Sequence, residues 1–289
     1  MAFDPFLYVA LAAGYLVGRV VRARSPWIPR ATLATVAVLV ALLGASLDSV
    51  PGGTLLAEIP LAVGFVALIL AATIGVFLVL RRPTSATPAP APPVPLGQRA
   101  GVSLGLLAAL LIGFGIGRAI LVPADAAIPY VLYVLLALVG FDLVLTREGL
   151  RGVWVPLTAA TVGALGAAAV VVVFAGVPAT AGFSTSLGFG FYSLAGPLVA
   201  ARLGSALGLL AFLTNFLREQ LTMLLAPYLG PRLKGAGLAS LGGATAMDTT
   251  LYFVTRYGDD RAASLSLATG IVLTLAASLV LPALLSLPG

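Results

Sequence analysis

The stretch SLGGATAMDTTLYF, which runs from Ser240 to Phe253, interrupts a long apolar sequence with a glycine pair, three threonines and an aspartate. Glycine is a poor helix former, so a continuous membrane-spanning helix is not expected here. Backbone that leaves the helical hydrogen-bond pattern cannot face lipid, so the interruption must be buried in protein or line a water-filled cavity. The stretch therefore predicts an all-α polytopic membrane protein with a broken helix at membrane depth.

A second interruption lies upstream, in FSTSLGFGFYSLAGPLVAARLG (residues 183–204), where serines, glycines and Pro197 break an apolar run. A continuous helix is predicted between the two interruptions, over about residues 205–228. If both broken segments are re-entrant hairpins, the chain crosses the membrane eight times, and if both span it, ten times. Arg232 and Lys234 fall on the cytoplasmic side only in the first case, so the positive-inside rule favours eight crossings.

The composition limits the possible functions. The chain has 289 residues, of which 60% are hydrophobic and 9% charged, whereas a soluble domain has about 25% charged residues. Cysteine and histidine are both absent, which excludes disulfides, thiolate or imidazole metal sites and Ser-His catalysis. No metal or cofactor is therefore expected, and proton chemistry near neutral pH must use carboxylates. The basic residues lie in short loops, a pattern of membrane topology and not of nucleic-acid binding.

Six apolar segments are each long enough for one helix, namely residues 6–21, 31–47, 59–80, 100–122, 128–145 and 153–175. Arginines lie in the first, third and fifth loops, and acidic residues lie in the alternate loops. This pattern places the N-terminus outside the cytoplasmic membrane. A last crossing at about residues 262–285 places the C-terminus outside as well. The N-terminus lacks the basic region of a cleaved signal, which predicts a retained first helix.

The sequence also predicts three parts with an internal repeat. An N-terminal membrane repeat of three helices (1–80) and a C-terminal membrane repeat with the broken helices (100–289) flank a proline-rich cytoplasmic linker (81–99). GYLVGR at Gly14 recurs 99 positions later as GFGIGR, and ALLGASL at Ala41 recurs 96 positions later as ALVGFDL. Three crossings separate the copies, so the second copy is expected upside down relative to the first. Inverted repeats of this kind are a frequent transporter architecture.

A polar stripe lies on the helix between the two interruptions. Asn215, Arg218, Glu219 and Thr222 fall at positions i, i+3, i+4 and i+7, so they share one helix face. A charged residue at the centre of a membrane helix costs about 2.5 to 3.5 kcal/mol on insertion scales, so such residues face a cavity or a partner. One interpretation is an ion pair that joins helices, and the other is a ligand site.

Further candidate site residues lie in the interruptions. Asp248, with Thr245 and Thr249 on its face, follows the glycine pair that ends with Gly243. A helix that begins after these glycines would aim free N–H groups at an anion. Asp248 is equally placed to cap such a helix. Ser193 of the first interruption offers a hydroxyl donor to the same candidate site.

Two more aspartates lie near the membrane faces. Asp48 ends the second crossing near the outer face, and Asp142 ends the fifth crossing near the inner face. They occupy nearly matching positions of the repeat. Each is interpreted either as an interfacial residue or as a gate or coupling residue.

The C-terminal third of the chain resembles the LysO-type lysine exporters in three ordered motifs, GFGFYSLAGPL (188–198), AFLTNFLREQLTMLLAP (211–227) and GGATAMDTTLYFV (242–254). The resemblance implies a transporter and not an enzyme. Its implied activity is export of L-lysine and close analogues in exchange for protons, through a fold with eight crossings. It also implies that Glu219 and Asp248 form the essential acidic pair and that the FYSLAG segment, which contains Tyr192, is part of the site.

Export of lysine moves one positive charge outward, which costs about 2.3 kcal/mol per 100 mV of inside-negative potential. One inward proton per lysine would cancel that charge. In this hypothesis Glu219 alternates between a proton and an ammonium, Asp248 holds the other amine, and Arg218 or the amides of the glycine break hold the carboxylate. Two alternatives stay open: a transporter of another amino acid or an organic anion, with sodium as a coupling ion, and an intramembrane aspartyl protease that pairs Asp142 with Asp248. The oligomeric state is also left open.

Overall fold

The computed structural model describes residues 6–21, 27–47, 52–80, 97–120, 123–142, 152–247, 249–259 and 261–287. Within these ranges the chain forms eleven α-helices and one 3-10 helix, and no strand. This confirms the predicted all-α class. The helices are α1 (Phe6–Val21), α2 (Trp27–Ala45), α3 (Gly52–Leu80), α4 (Gly97–Ala119), α5 (Ala124–Asp142), α6 (Trp154–Ala175), α7 (Ala179–Ser186), α8 (Tyr192–Leu203), α9 (Ser205–Gly242), α10 (Leu251–Tyr257) and α11 (Ala262–Leu284), with the 3-10 helix at Gly243–Met247.

Three of these helices are long and apolar enough to cross a membrane, over Leu56–Leu80, Trp154–Ala175 and Ala262–Leu284. At 1.5 Å per residue, a 22-residue helix such as α6 extends about 33 Å, which matches a hydrocarbon core of about 30 Å. Shorter apolar helices cover Val9–Val21, Arg30–Ala45, Leu104–Ala119 and Ala126–Leu138. Each of the six apolar segments identified in the sequence corresponds to one helix, from α1 to α6. The total of eight crossings stays a prediction.

Helices α1, α2, α4 and α5 pack together, and we call them the frame bundle. Helix α1 packs on α5, α2 packs on α4, and α2 packs on α5. Two glycines on the repeated motifs make equivalent contacts: a Cβ on Gly14 would collide with the carbonyl oxygen of Ala137, and a Cβ on Gly113 would collide with that of Ala41. The backbones of each helix pair therefore touch directly, because small residues permit such close approach in membrane helices.

Helices α3 and α6 to α11 form a second group, the core bundle. Helix α3 packs on α6 and α9, although its neighbours along the chain, α2 and α4, belong to the frame bundle. At the α3–α6 contact, a Cβ on Gly163 would lie 2.5 Å from the hydroxyl of Thr73. The two bundles are therefore not contiguous in sequence. The predicted three-part division stays a prediction, and most of its linker lies outside the described residues.

The two bundles meet mainly at helix α8, which contacts both α2 and α5 of the frame bundle. Leu43 of α2 and Leu132 of α5 belong to the same buried hydrophobic cluster as Leu194 and Leu198 of α8. The contact surface is thus built from aliphatic side chains on both sides. It holds α8, and the break that precedes α8, against the centre of the frame bundle.

Candidate functional site

The first interruption predicted from the sequence separates α7 from α8. Residues 187–191, called the first break, leave the helical conformation, and Phe189 and Gly190 have positive φ angles of 51° and 93°. Just before this break, the hydroxyl of Ser186 donates a 2.7 Å hydrogen bond to the carbonyl oxygen of Ala164. Ala164 lies halfway along α6, which is one of the three membrane-length helices. The first break therefore lies at about the middle of the membrane.

The second interruption forms a hairpin. Helix α9 is kinked at Lys234, whose φ is 55°, so its last part, residues 235–242, is a separate short arm. A Cβ on Gly242 would lie 2.6 Å from the hydroxyl of Thr250, and a Cβ on Gly258 would lie 2.9 Å from the Cα of Gly235. Because both pairs are in contact, the chain from residue 235 to 258 doubles back on itself, with α10 as the returning arm.

The turn of this hairpin, residues 243–250 and called the second break, also lies beside a membrane-length helix. Its arms of seven or eight residues extend about 12 Å, less than half of a hydrocarbon core of about 30 Å. The hydroxyl of Ser266 in α11 donates a 2.6 Å hydrogen bond to the carbonyl oxygen of Ala246. A Cβ on Gly270, in the middle third of α11, would collide with the backbone nitrogen of Met247. The hairpin therefore ends beside the first half of a membrane-length helix.

The two breaks touch each other through their backbones. The N–H of Ala244 donates a 2.8 Å hydrogen bond to the carbonyl oxygen of Phe189. Gly243, which precedes Ala244, has a φ of 65°, and a Cβ at this position would collide with the same carbonyl oxygen. Glycine is required here because a positive φ and a close backbone approach coincide. The junction of the two breaks is the centre of the candidate site.

A short repeat that the sequence analysis missed marks both breaks. The triplet Ser-Leu-Gly occurs at residues 186–188 and at 240–242, and once more at 103–105 inside the continuous helix α4. In the two copies at the breaks the next residue, Phe189 or Gly243, has a positive φ. A comparison of the two interruptions with each other, 54 positions apart, was the signal that could have found this equivalence.

Asn215 ties the first break to helix α9. Its side chain is buried, its Oδ1 accepts a 2.7 Å hydrogen bond from the N–H of Gly190, and its Nδ2 donates to the carbonyl oxygens of Thr185 at 2.8 Å and Ala211 at 2.9 Å. Both amide hydrogens are thereby used. The polar stripe thus places Asn215 at the site as a residue that holds the first break in place.

Arg218, one turn further along α9, ties the same helix to the second break. Its guanidinium is fully buried, with Nε donating to the carbonyl oxygen of Leu241 at 2.9 Å and Nη2 to that of Ser240 at 3.0 Å. These carbonyls end the hairpin arm, where the helix dipole is negative and favours a cation. Nη1 has no hydrogen-bond partner among the described residues. Nε and Nη2 of the arginine therefore bind the hairpin, whereas Nη1 binds none of its described residues.

Other predicted residues surround this junction. Glu219 is 3% exposed, and Ser193 at the start of α8 is 4% exposed. The ring of Tyr192 makes edge-on contacts with two phenylalanine rings of α9, at centroid distances of 5.7 and 5.6 Å. Thr245 donates a 3.0 Å hydrogen bond to the carbonyl oxygen of Gly242. These contacts bring both interruptions and the polar stripe into one neighbourhood.

Five predicted residues remain, namely Thr222 of the stripe, Asp248 and Thr249 of the second break, and the two aspartates Asp48 and Asp142. The hydroxyl of Thr222 donates to the carbonyl oxygen of Arg218 at 2.7 Å, a bond within its own helix. Thr249 is exposed in the second break. Asp248 and Asp48 lie outside the described residues, and Asp142 ends α5 with a side chain that is also outside them. Across the described ranges, no group of three or more acidic residues is placed to hold a metal ion.

A buried arginine and a buried glutamate beside two touching breaks, against membrane-length helices, define a membrane protein with an intramembrane polar site. This is the arrangement that secondary transporters use for their substrate and coupling-ion sites. The family model described as "Lysine exporter LysO" matches residues 107–285, so the chain belongs to the LysO family of lysine exporters. The matched region contains both breaks and the polar stripe.

Two curated relatives are similar to this chain. The lysine exporter LysO of Escherichia coli strain K12 is 33% identical over 186 residues, which cover 60% of this chain and 60% of that protein. A Haemophilus influenzae protein named "Putative lysine exporter" is 30% identical over 115 residues, which cover 40% of this chain and 58% of that protein. The matches thus span about three-fifths of the length of these relatives. No solved structure matches the chain.

Proposed function

We propose that this protein exports L-lysine and close analogues across the cytoplasmic membrane in exchange for protons. The observation that carries the proposal is the pair of neighbouring, buried residues Arg218 and Glu219 beside the junction of the two breaks. Buried charges at membrane depth mark substrate or proton pathways. Membership of the lysine exporter family supports lysine as the substrate.

Arg218 is the proposed partner of the substrate carboxylate. A guanidinium has five N–H donors, and the edge formed by Nε and Nη2 is occupied by two carbonyl oxygens of the hairpin arm. The end formed by Nη1 and the second hydrogen of Nη2 matches the spacing of two carboxylate oxygens. A Cβ on Gly243 would lie 3.2 Å from Nη2, so the backbone of the second break is close to the same position. The hydroxyls of Ser193 and Thr245 are proposed as further donors.

Glu219 and Asp248 are the proposed partners of the two amino groups. Glu219 follows Arg218 on α9, and Asp248 lies between two described residues of the second break, Met247 and Thr249. A carboxylate that releases an ammonium takes up a proton in its place, so the site stays neutral as the substrate leaves. One proton inward for each lysine outward cancels a charge movement that costs about 2.3 kcal/mol per 100 mV.

An inverted repeat and a topology of eight crossings form part of the proposal. The contacts of Gly14 with Ala137 and of Gly113 with Ala41 relate α1 and α2 to α4 and α5, as expected of two copies of one unit. The hairpin of residues 235–258 supports a re-entrant segment, because it begins and ends at the same level. Its ends carry Lys234 and Arg256, which favour the cytoplasmic side and so support the proposal that both termini lie outside.

The test is transport of radiolabelled lysine in proteoliposomes with and without an imposed pH gradient. Wild-type protein is expected to accumulate lysine against its gradient when protons flow the other way. Glu219→Gln, which removes the exchangeable proton, should abolish the gradient-driven part. Glu58→Gln makes the same chemical change near the start of α3 and should retain transport. Sodium-driven uptake, or lysine flux in Glu219→Gln equal to wild type, would contradict the proposal.

A further inference from the structure

We infer that the core bundle moves as one body against the frame bundle and carries the substrate site with it through the membrane. The inference rests on the proposed transport function but concerns a different property, namely which parts of the protein move. Its starting point is the location of the site. Every described residue placed at the site above belongs to α7, the first break, α8, α9 or the second break, and all of these belong to the core bundle.

The site residues are fastened to one another by hydrogen bonds inside the core bundle. Asn215 holds the first break, Arg218 holds the arm of the hairpin, and the N–H of Ala244 joins the two breaks. The hydroxyls of Ser186 and Ser266 extend this network to α6 and α11. The breaks, the polar stripe and two membrane-length helices are thereby joined into one unit.

Each bundle is also locked internally by direct backbone contact. In the frame bundle, a Cβ on Gly18 would collide with the carbonyl oxygen of Phe141, and a Cβ on Gly117 with that of Ala45. In the core bundle, a Cβ on Gly208 would collide with the Cβ of Ala200. Closely packed elements have discrete arrangements and resist gradual deformation, so each bundle is expected to behave as a rigid body.

The contact between the bundles has a different character. It is made by aliphatic side chains of α2, α5 and α8, and a Cβ on Gly196 of α8 would lie 3.3 Å from the Cδ2 of Leu43. Lipid tails are as apolar as leucine, so the hydrophobic effect does not favour one relative position of the two bundles over another. Packed helices that slide on each other by side-chain contacts are a known form of domain movement.

Rocking around a fixed site uses a site that both moving parts form at their interface. Here the described residues of the site all belong to the core bundle, while Phe189 and Ala244 at the junction share a buried hydrophobic cluster with α2 and α5 of the frame bundle. One body therefore carries the site and the other covers it, so translation of the core bundle would carry the site past the frame bundle toward each side in turn. To expose a buried junction on each side of a hydrocarbon core of about 30 Å, the expected shift along the membrane normal is on the order of 10 Å.

The test uses spin-label distances measured by double electron–electron resonance in proteoliposomes. The chain contains no cysteine, so labels can be introduced at chosen positions without removing native thiols. Suitable positions are lipid-exposed side chains: Leu111 and Val134 in the frame bundle, and Val173 and Leu224 in the core bundle. The pairs 111–173 and 134–224 report movement between the bundles. The pairs 111–134 and 173–224 are matched controls within each bundle.

Each doubly labelled protein is measured with and without saturating lysine and a pH gradient, and lysine flux is measured on the same preparations. The inference expects the pairs between bundles to change by about 10 Å or to show two distance populations, and the control pairs to stay fixed. Two populations in a protein that does not carry lysine would uphold the inference and refute the proposed substrate. Fixed distances between bundles, with or without lysine flux, would overturn the inference, as would equal changes in the control pairs.

Discussion

Replacement of Gly243 by alanine tests the contact between the two breaks. Gly243 has a φ of 65° and a ψ of −125°, outside the left-handed helical well, and such a sparsely populated backbone conformation costs an L-residue about 1–3 kcal/mol. The new Cβ would also collide with the carbonyl oxygen of Phe189. Relief of that collision must separate the breaks and break the hydrogen bond from Ala244 to Phe189, which contributes about 0.5–1.5 kcal/mol.

The two effects together amount to about 1.5–4.5 kcal/mol, which corresponds to roughly a 10- to 1,500-fold loss of the arrangement in which the breaks touch. Lysine flux of Gly243→Ala in proteoliposomes should therefore fall at least about tenfold, and its thermal unfolding midpoint should decrease. The matched control is Gly166→Ala in α6, where an added Cβ has no atom within 4 Å. That variant should transport lysine like the wild type.

Wild-type flux together with a wild-type unfolding midpoint in Gly243→Ala would refute the reasoning. It would mean that the touching arrangement does not contribute to transport or to stability. A lower midpoint with unchanged flux would also contradict the proposed role, because the breaks would then serve the fold alone.

Two further substitutions test the side chains that hold the breaks. Arg218→Lys keeps the charge but lacks the planar guanidinium that reaches two carbonyl oxygens. The loss of one charge-assisted hydrogen bond should lower the free energy of unfolding by about 1.5–3 kcal/mol and raise the KM for lysine. An unchanged KM would contradict carboxylate binding at this arginine. Asn215→Leu leaves the N–H of Gly190 and the carbonyl oxygen of Thr185 unpaired, at about 1–3 kcal/mol for each group. Thermal unfolding in detergent should show this loss, and a midpoint equal to that of the wild type would refute it.

The helices and the two interruptions could be predicted from the sequence because both depend on local properties. Membrane helices need about 20 apolar residues, and glycine, serine and proline break them where they cluster. The polar stripe was equally accessible, since residues three and four positions apart share a helix face whatever surrounds the helix. The stripe located Arg218, Glu219 and Asn215 at membrane depth.

The partners of those side chains could not be predicted, because they are distant in sequence. Arg218 donates to carbonyl oxygens more than 20 positions away, and Asn215 accepts from Gly190, 25 positions away. Helical periodicity shows which face is polar but not which segment covers it. For the same reason the sequence did not indicate that α3 packs in the core bundle, since its apolar surface would suit either group of helices.

The placement of α3 in one bundle and α2 in the other sets a limit on how far the bundles can separate. Leu47 follows α2 and Gly52 begins α3, so five residue steps join the two bodies at this point. A fully extended chain of that length spans at most about 18 Å. The connection therefore limits how far the two bundles can move relative to each other without the unwinding of a helix end. Gly52 and Gly53, which have no atoms within 4 Å of an added Cβ, form the end that would unwind most easily.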